Sequence, residues 1–173
     1  MAGETAKRRS LVAVDTNVLM DMADGSAATI AAIGICVRKP QLALIATPTV
    51  VQELMWGAKH WEPPARRALA EKALVSMLDW KIRPIDFIAA GHGICQSIGE
   101  KLAAQGYLPP EEVNDGLILG EAALCEARVL LTWDPHLLTI PADKLSLFLS
   151  EQQVGNVLVV SPARIRSLFG ERS

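Results

Sequence analysis

Four short apolar runs limit what this chain can fold into. Residues 11–14, 41–46, 129–132 and 157–160 are apolar, brief and separated by long intervals. Helix signals fill those intervals. Residues 16–23 suit a short helix, and residues 26–37 a second one capped by Ser26. Thr47-Pro48 reads as a helix start, with Thr as cap and Pro at the first helical position, continuing to about Ala58. Residues 63–78 and 86–105 are amphipathic. Pro109-Pro110-Glu111-Glu112 opens a helix towards Glu126, and residues 162–169 form a last one. Uninterrupted apolar strands alternating with helices imply a sheet buried on both faces. The predicted fold class is α/β: a three-layer α/β/α domain, rich in helix, around a mostly parallel sheet of four or five strands. At 173 residues the chain suits one domain over residues 11–173, preceded by a flexible basic tail over residues 1–10. A domain of that size buries roughly 70% of its unfolded surface and folds without staples.

Charge and cysteine content narrow the class. The net charge is −2 and the pI about 5.9, unlike the strongly basic footprint of most nucleic-acid binders. Local basic clusters remain available at Lys7-Arg8-Arg9, at Lys59-His60 with Arg66-Arg67, and at Arg164, Arg166 and Arg172. Cys36, Cys95 and Cys125 are odd in number and widely spaced, so a disulfide framework is not expected. His92 and Cys95 share a helix face but lack a second ligand pair, which disfavours zinc there. No run reaches the ~20 apolar residues of a membrane span, and no signal-peptide core precedes Asp15, so a cytoplasmic protein is expected.

The informative residues are acids. Asp15 follows the first apolar run directly, and Asp134 follows the third at a spacing of two. In open parallel sheets, sites form beyond the carboxyl ends of the strands. Glu53 lies in the second turn of the helix begun at Thr47-Pro48, and Asp115 precedes the apolar Leu117-Ile118-Leu119. Singly, each has an ordinary explanation: Asp15 and Asp115 suit a helix start, Glu53 a surface, and Asp134-Pro135 a turn. Glu111 and Glu112 share the helix face of Asp115, which makes either a candidate extra ligand. Glu121 lies about 240° around the helix from Asp115 and is expected to face solvent.

Taken in order, the motifs resemble those of the PIN-domain nucleases. The matching pieces are Val12-Ala13-Val14-Asp15-Thr16-Asn17-Val18-Leu19 and Thr47-Pro48-Thr49-Val50-Val51-Gln52-Glu53-Leu54. Asn114-Asp115-Gly116-Leu117-Ile118-Leu119 and Val129-Leu130-Leu131-Thr132-Trp133-Asp134 follow, with Val157-Leu158-Val159-Val160-Ser161-Pro162 as a closing strand and helix start. Two features depart from the family pattern. The interval between Glu53 and Asp115 is long, with room for two extra helices. Gly116 stands where a better helix former is usual, which is expected to loosen the turn around Asp115.

The resemblance implies a metal-dependent endoribonuclease whose catalytic and metal-binding residues are Asp15, Glu53, Asp115 and Asp134. Two carboxylates within ~5 Å repel by roughly 3 kcal/mol at an effective dielectric of 20. Such a cluster favours a hard cation with oxygen ligands, Mg²⁺ or Mn²⁺, which activates water for attack on a phosphodiester. Thr16, Asn17 and Thr132 are expected to hold carboxylates or water in place. Trp133, at the mouth of the site, is a candidate for base stacking, although packing under the sheet edge is the preferred reading. The resemblance further implies single-stranded RNA as substrate, the toxin role in a toxin–antitoxin pair, a small antitoxin as partner, and a homodimer. A catalytically silent scaffold of the same fold, binding or processing RNA, is the alternative. Other hydrolytic classes fit less well. No second aspartate stands two residues after Asp15, Lys144 is too far from Asp134 for a receiver domain, and no Gly-x-Ser-x-Gly occurs.

Overall fold

A computed structural model describes residues 8–169. The described chain runs β1 (Ser10–Val14), α1 (Thr16–Asp24), α2 (Ala27–Val37), β2 (Leu42–Ala46), α3 (Pro48–His60), α4 (Pro64–Ser76), β3 (Ile82–Pro84) and α5 (Ala89–Ala104). It continues with α6 (Val113–Leu124), β4 (Val129–Leu131), α7 (Pro135–Leu138), α8 (Ala142–Glu151) and β5 (Leu158–Val160). A 3-10 turn at Pro162–Arg164 leads into α9 (Ile165–Phe169). Of the expected basic tail, residues 1–7 lie outside the described residues, as does Arg172, while Ser10 already belongs to β1.

The strands form one sheet in the order β3-β2-β1-β4-β5, every pairing parallel. The α/β/α fold class read from the alternating runs is therefore the observed one. The central strands explain the apolar runs: Val12, Ala13, Val14 and all of β4 are buried. With neighbours on both sides and helices above and below, no face of these strands meets water.

Strand order changes direction at β1, with β2 on one side and β4 on the other. That switch point opens a crevice at the strands' carboxyl ends. Register makes the consequence specific. Val14 pairs with Leu131, so Asp15 and Thr132 leave the sheet side by side. On the other flank Ala13 pairs with Ile45, so the chain entering α3 leaves beside Asp15.

The long interval between Glu53 and Asp115 forms α4, β3 and α5, and α5 packs along α6. At their crossing the backbones nearly touch: a Cβ placed on Gly116 would lie 3.0 Å from Gly99 Cα. Gly116 sits inside an unbroken α6, directly after Asp115. It is buried, and its missing side chain is what allows α5 to seat against α6.

Candidate active site

Asp15 occupies the N-cap of α1, with its backbone N–H bonded to Leu131 O at 2.9 Å. Its side chain is 1% exposed. Oδ1 accepts from the Thr16 amide at 2.6 Å, and Oδ2 accepts from Thr132 Oγ1 at 2.6 Å and Asn17 Nδ2 at 3.0 Å. Capping and site formation are thus the same event here. Burial pushes the carboxyl up to about 6; the bonds from Thr132 and Thr16 pull it back, while the Glu53 and Asp134 charges add to the rise.

Thr132 connects the two strand ends. Its hydroxyl donates to Asp15 and accepts from the Asp134 amide at 2.8 Å and Asn17 Nδ2 at 3.2 Å. Asp134 caps α7, its Oδ1 accepting from the Leu137 amide at 2.9 Å. Thr16 donates its hydroxyl to Glu53, whose other oxygen accepts from Asn114 Nδ2 at 2.7 Å. Glu53 on α3 is thereby tied to the start of α1 and the start of α6. Asn114 stands beside Asp115 in the sequence, but nothing in the pattern distinguished its amide as the anchor of Glu53.

Asp115 lies in the first turn of α6, three residues after Glu112. One carboxylate oxygen each from Glu112, Asp115 and Asp134 lie within 4.8 Å of one another. Asp115 is pushed up to about 8, first by burial. A hydrogen bond with the Glu112 carboxyl and the charges of Asp134, Asp15 and Glu112 raise it further. Three convergent carboxylate oxygens form a donor set that fits a hard divalent cation. The residues nominated as ligands therefore divide. Asp115 and Asp134 converge with Glu112. Asp15 and Glu53 sit behind and beside them, engaged by threonine and asparagine side chains. His136 Nδ1 stands 4.0 Å from Glu112 at the rim. Asp15, Glu53 and Asp115 line one open cleft of about 430 Å³, together with Met20, Leu69, Trp61 and Arg66.

Glu121 corrects the sequence reading. It is 2% exposed, and its carboxylate accepts from the Thr49 amide at 3.1 Å and Thr49 Oγ1 at 2.8 Å. Thr47, the expected cap of α3, makes no side-chain capping bond. The Glu121 carboxylate instead satisfies a first-turn N–H of that helix from across the interface with α6, where negative charge is favoured.

Trp133 packs and does not stack outward. It is partly buried against the core, and its indole N–H donates to Thr29 Oγ1 at 3.3 Å. Cys36 and Cys95 are buried free thiols, pushed by burial up to about 11 and 12. His92 bonds to Asp86 at 3.0 Å. Among the basic clusters, Arg67 pairs with Glu62 and Arg8 with Glu126, and Arg66 lines the cleft with the acids.

No protein-family model matches the chain, and no curated protein sequence matches it. Solved structures do match its fold. A chain of VapBC2 from Rickettsia felis, crystallised bound to a DNA fragment from its promoter, superposes with a TM-score of 0.61. The two are 16% identical, over 87% of this chain and 98% of that one. VapBC-1 from nontypeable Haemophilus influenzae gives 0.55 at 16% identity, over 88% and 98%. VapBC-5 from Mycobacterium tuberculosis, of the VapBC family of toxin–antitoxin systems, gives 0.52 at 17% identity, over 88% and 98%. The chain has the PIN-like α/β/α fold that its motifs resemble.

Proposed function

We propose that this chain is a Mg²⁺- or Mn²⁺-dependent endoribonuclease acting on single-stranded RNA, with Asp15, Glu53, Asp115 and Asp134 as its catalytic acids. The observation that carries this reading is the convergence of the Glu112, Asp115 and Asp134 oxygens at the switch point of the sheet, with Asp15 buried behind them. Glu112, Asp115 and Asp134 would hold the cation, with Asp15 and Glu53 completing the negative field. A cation bound there polarises a phosphate and lowers the pKa of water. Thr132 and Asn17 fix the Asp15 carboxylate, and Thr16 with Asn114 fixes Glu53, so that the acids face the cleft in one arrangement. No histidine base or covalent nucleophile is required.

The fold shared with VapBC chains supports a toxin role with an antitoxin as partner; the antitoxin would be small and the working assembly a homodimer. Among the described residues no single helix is long and apolar enough to cross a membrane, which fits the cytoplasmic setting such a pair would need. The test is a gel assay on single-stranded RNA. Cleavage is expected with Mg²⁺ or Mn²⁺ and lost in EDTA; full cleavage in EDTA overturns the metal assignment.

A further inference from the structure

Beside the acidic cleft lies a second one, also of about 430 Å³, bounded by Trp56 and Trp61 and floored by Leu117. Glu53 and Trp61 are walls common to both. A chain leaving the acids therefore meets two indoles next. Trp56 is 57% exposed, an unusual position for so large an apolar ring, and it leans on His60 at a centroid distance of 4.9 Å. Trp61 is held more firmly. Its ring lies against the bare backbone of Gly57, where an added Cβ would come within 2.4 Å of Cε3. The Arg66 guanidinium sits 4.5 Å from the centroid of the Trp61 ring. Side-chain amides of Gln52 and Asn114 line the same cleft.

We propose that this cleft takes an unpaired nucleobase of a single-stranded nucleic acid, stacked on Trp56 beside the Trp61 ring. The backbone of that strand runs past Glu53 into the acidic cleft, with Arg66 facing its phosphates. The placement of the backbone rests on the nuclease reading above; the base site does not. Four features belong together in such a site: flat apolar surface, amide groups at its edge, a cationic side chain within reach, and continuity with the acidic cleft. A base inside a duplex has both faces covered by its neighbours and is excluded, which selects single strands.

The experiment titrates the intact protein with a short oligoadenylate in Ca²⁺ and reads tryptophan fluorescence. A backbone of the same length without bases is the control. The oligoadenylate is expected to quench the indoles and bind, and the baseless chain to bind at least about tenfold more weakly. Trp56→Ala should weaken oligoadenylate binding about tenfold, and Trp56→Phe should retain most of it. Gly57→Ala, which displaces the Trp61 ring without removing it, should also weaken binding, at a temperature where a melt shows it folded. Equal binding of the two oligomers, or Trp56→Ala binding as the parent does, overturns the proposal. Base-dependent binding without RNA cleavage would leave this site standing and sink the nuclease reading. Cleavage with base-independent binding would do the reverse.

Discussion

Asp15 and Glu121 are both buried acids, and the difference between their surroundings separates a reactive site from a structural one. Each carboxylate takes a threonine hydroxyl and a backbone N–H at the start of a helix. Burial raises the proton affinity of Asp15 first, and the Glu53 and Asp134 charges beside it add to the rise. Glu121 faces Thr49 and the positive end of α3, where its charge is welcome. Burial alone thus nominates nothing. Burial among like charges leaves a carboxylate frustrated until a cation or proton arrives, whereas burial against N–H donors satisfies it.

The comparison breaks most visibly in activity. Asp15→Asn, Glu53→Gln, Asp115→Asn and Asp134→Asn are each expected to lower RNA cleavage by about two orders of magnitude or more, since each weakens stabilisation of charge at the phosphate. Glu121→Gln should cleave as the parent does, assayed well below its melting temperature. Loss of cleavage in Glu121→Gln with an unchanged melt would place both acids in one site.

Stability should move the other way. Glu121→Ala strands a buried N–H and hydroxyl and opens a void, so it should cost about 2–4 kcal/mol in a urea melt. Asp15→Asn in EDTA removes repulsion and keeps an acceptor for the Thr16 amide, but puts a donor where Oδ2 accepts from Thr132 and Asn17; the relief of repulsion should outweigh that loss and stabilise by about 1 kcal/mol. The same variant should shrink the gain in melting temperature that Mn²⁺ gives the parent. Asp15→Asn melting lower than the parent in EDTA would make helix capping the dominant role of that residue.

The smallest effect is one of pH. Asp115 binds its proton up to about 8 when folded, against 3.8 as its ordinary value. The unfolded chain therefore releases that proton first, and the contribution of Asp115 to stability is full below about 3.8. It is lost as pH rises towards 8. In EDTA the parent should lose a few degrees of melting temperature relative to Asp115→Asn as pH climbs through that window. A constant difference between the two across the window would mean that Asp115 is not held among like charges.

Much of this arrangement was legible before any coordinates. The four apolar runs announced β1, β2, β4 and β5, and two of them lead into Asp15 and Asp134, which the parallel sheet brings to one end. The strand β3 was not legible. It has three residues at a sheet edge, only Ile82 of them buried, so it carries neither an apolar run nor an alternation. Helix α8 was passed over as well. The error at Glu121 had a different origin. Helical periodicity correctly turned it away from Asp115, but pointing away from one neighbour is not pointing at water. Residues from Gly116 through Ala123 on α6 are buried almost all round, so no side of that helix was free to be a polar face. Likewise Glu112 shared a face with Asp115 in the sequence, but only the tertiary position of Asp134 singled it out over Glu111.

The contact between Gly99 and Gly116 has a consequence for how this molecule can drift. Most helix pairs absorb change by exchanging one side chain for another of similar bulk. Here main chain meets main chain, so neither position has a smaller alternative to retreat to. The buried side chains of α5 at Cys95, Ile98 and Leu102 can be exchanged in that way, whereas at the Gly99 crossing the helix is keyed to the residue beside Asp115. A side chain at either glycine would push the two helices apart and move the acid beside Gly116 with them.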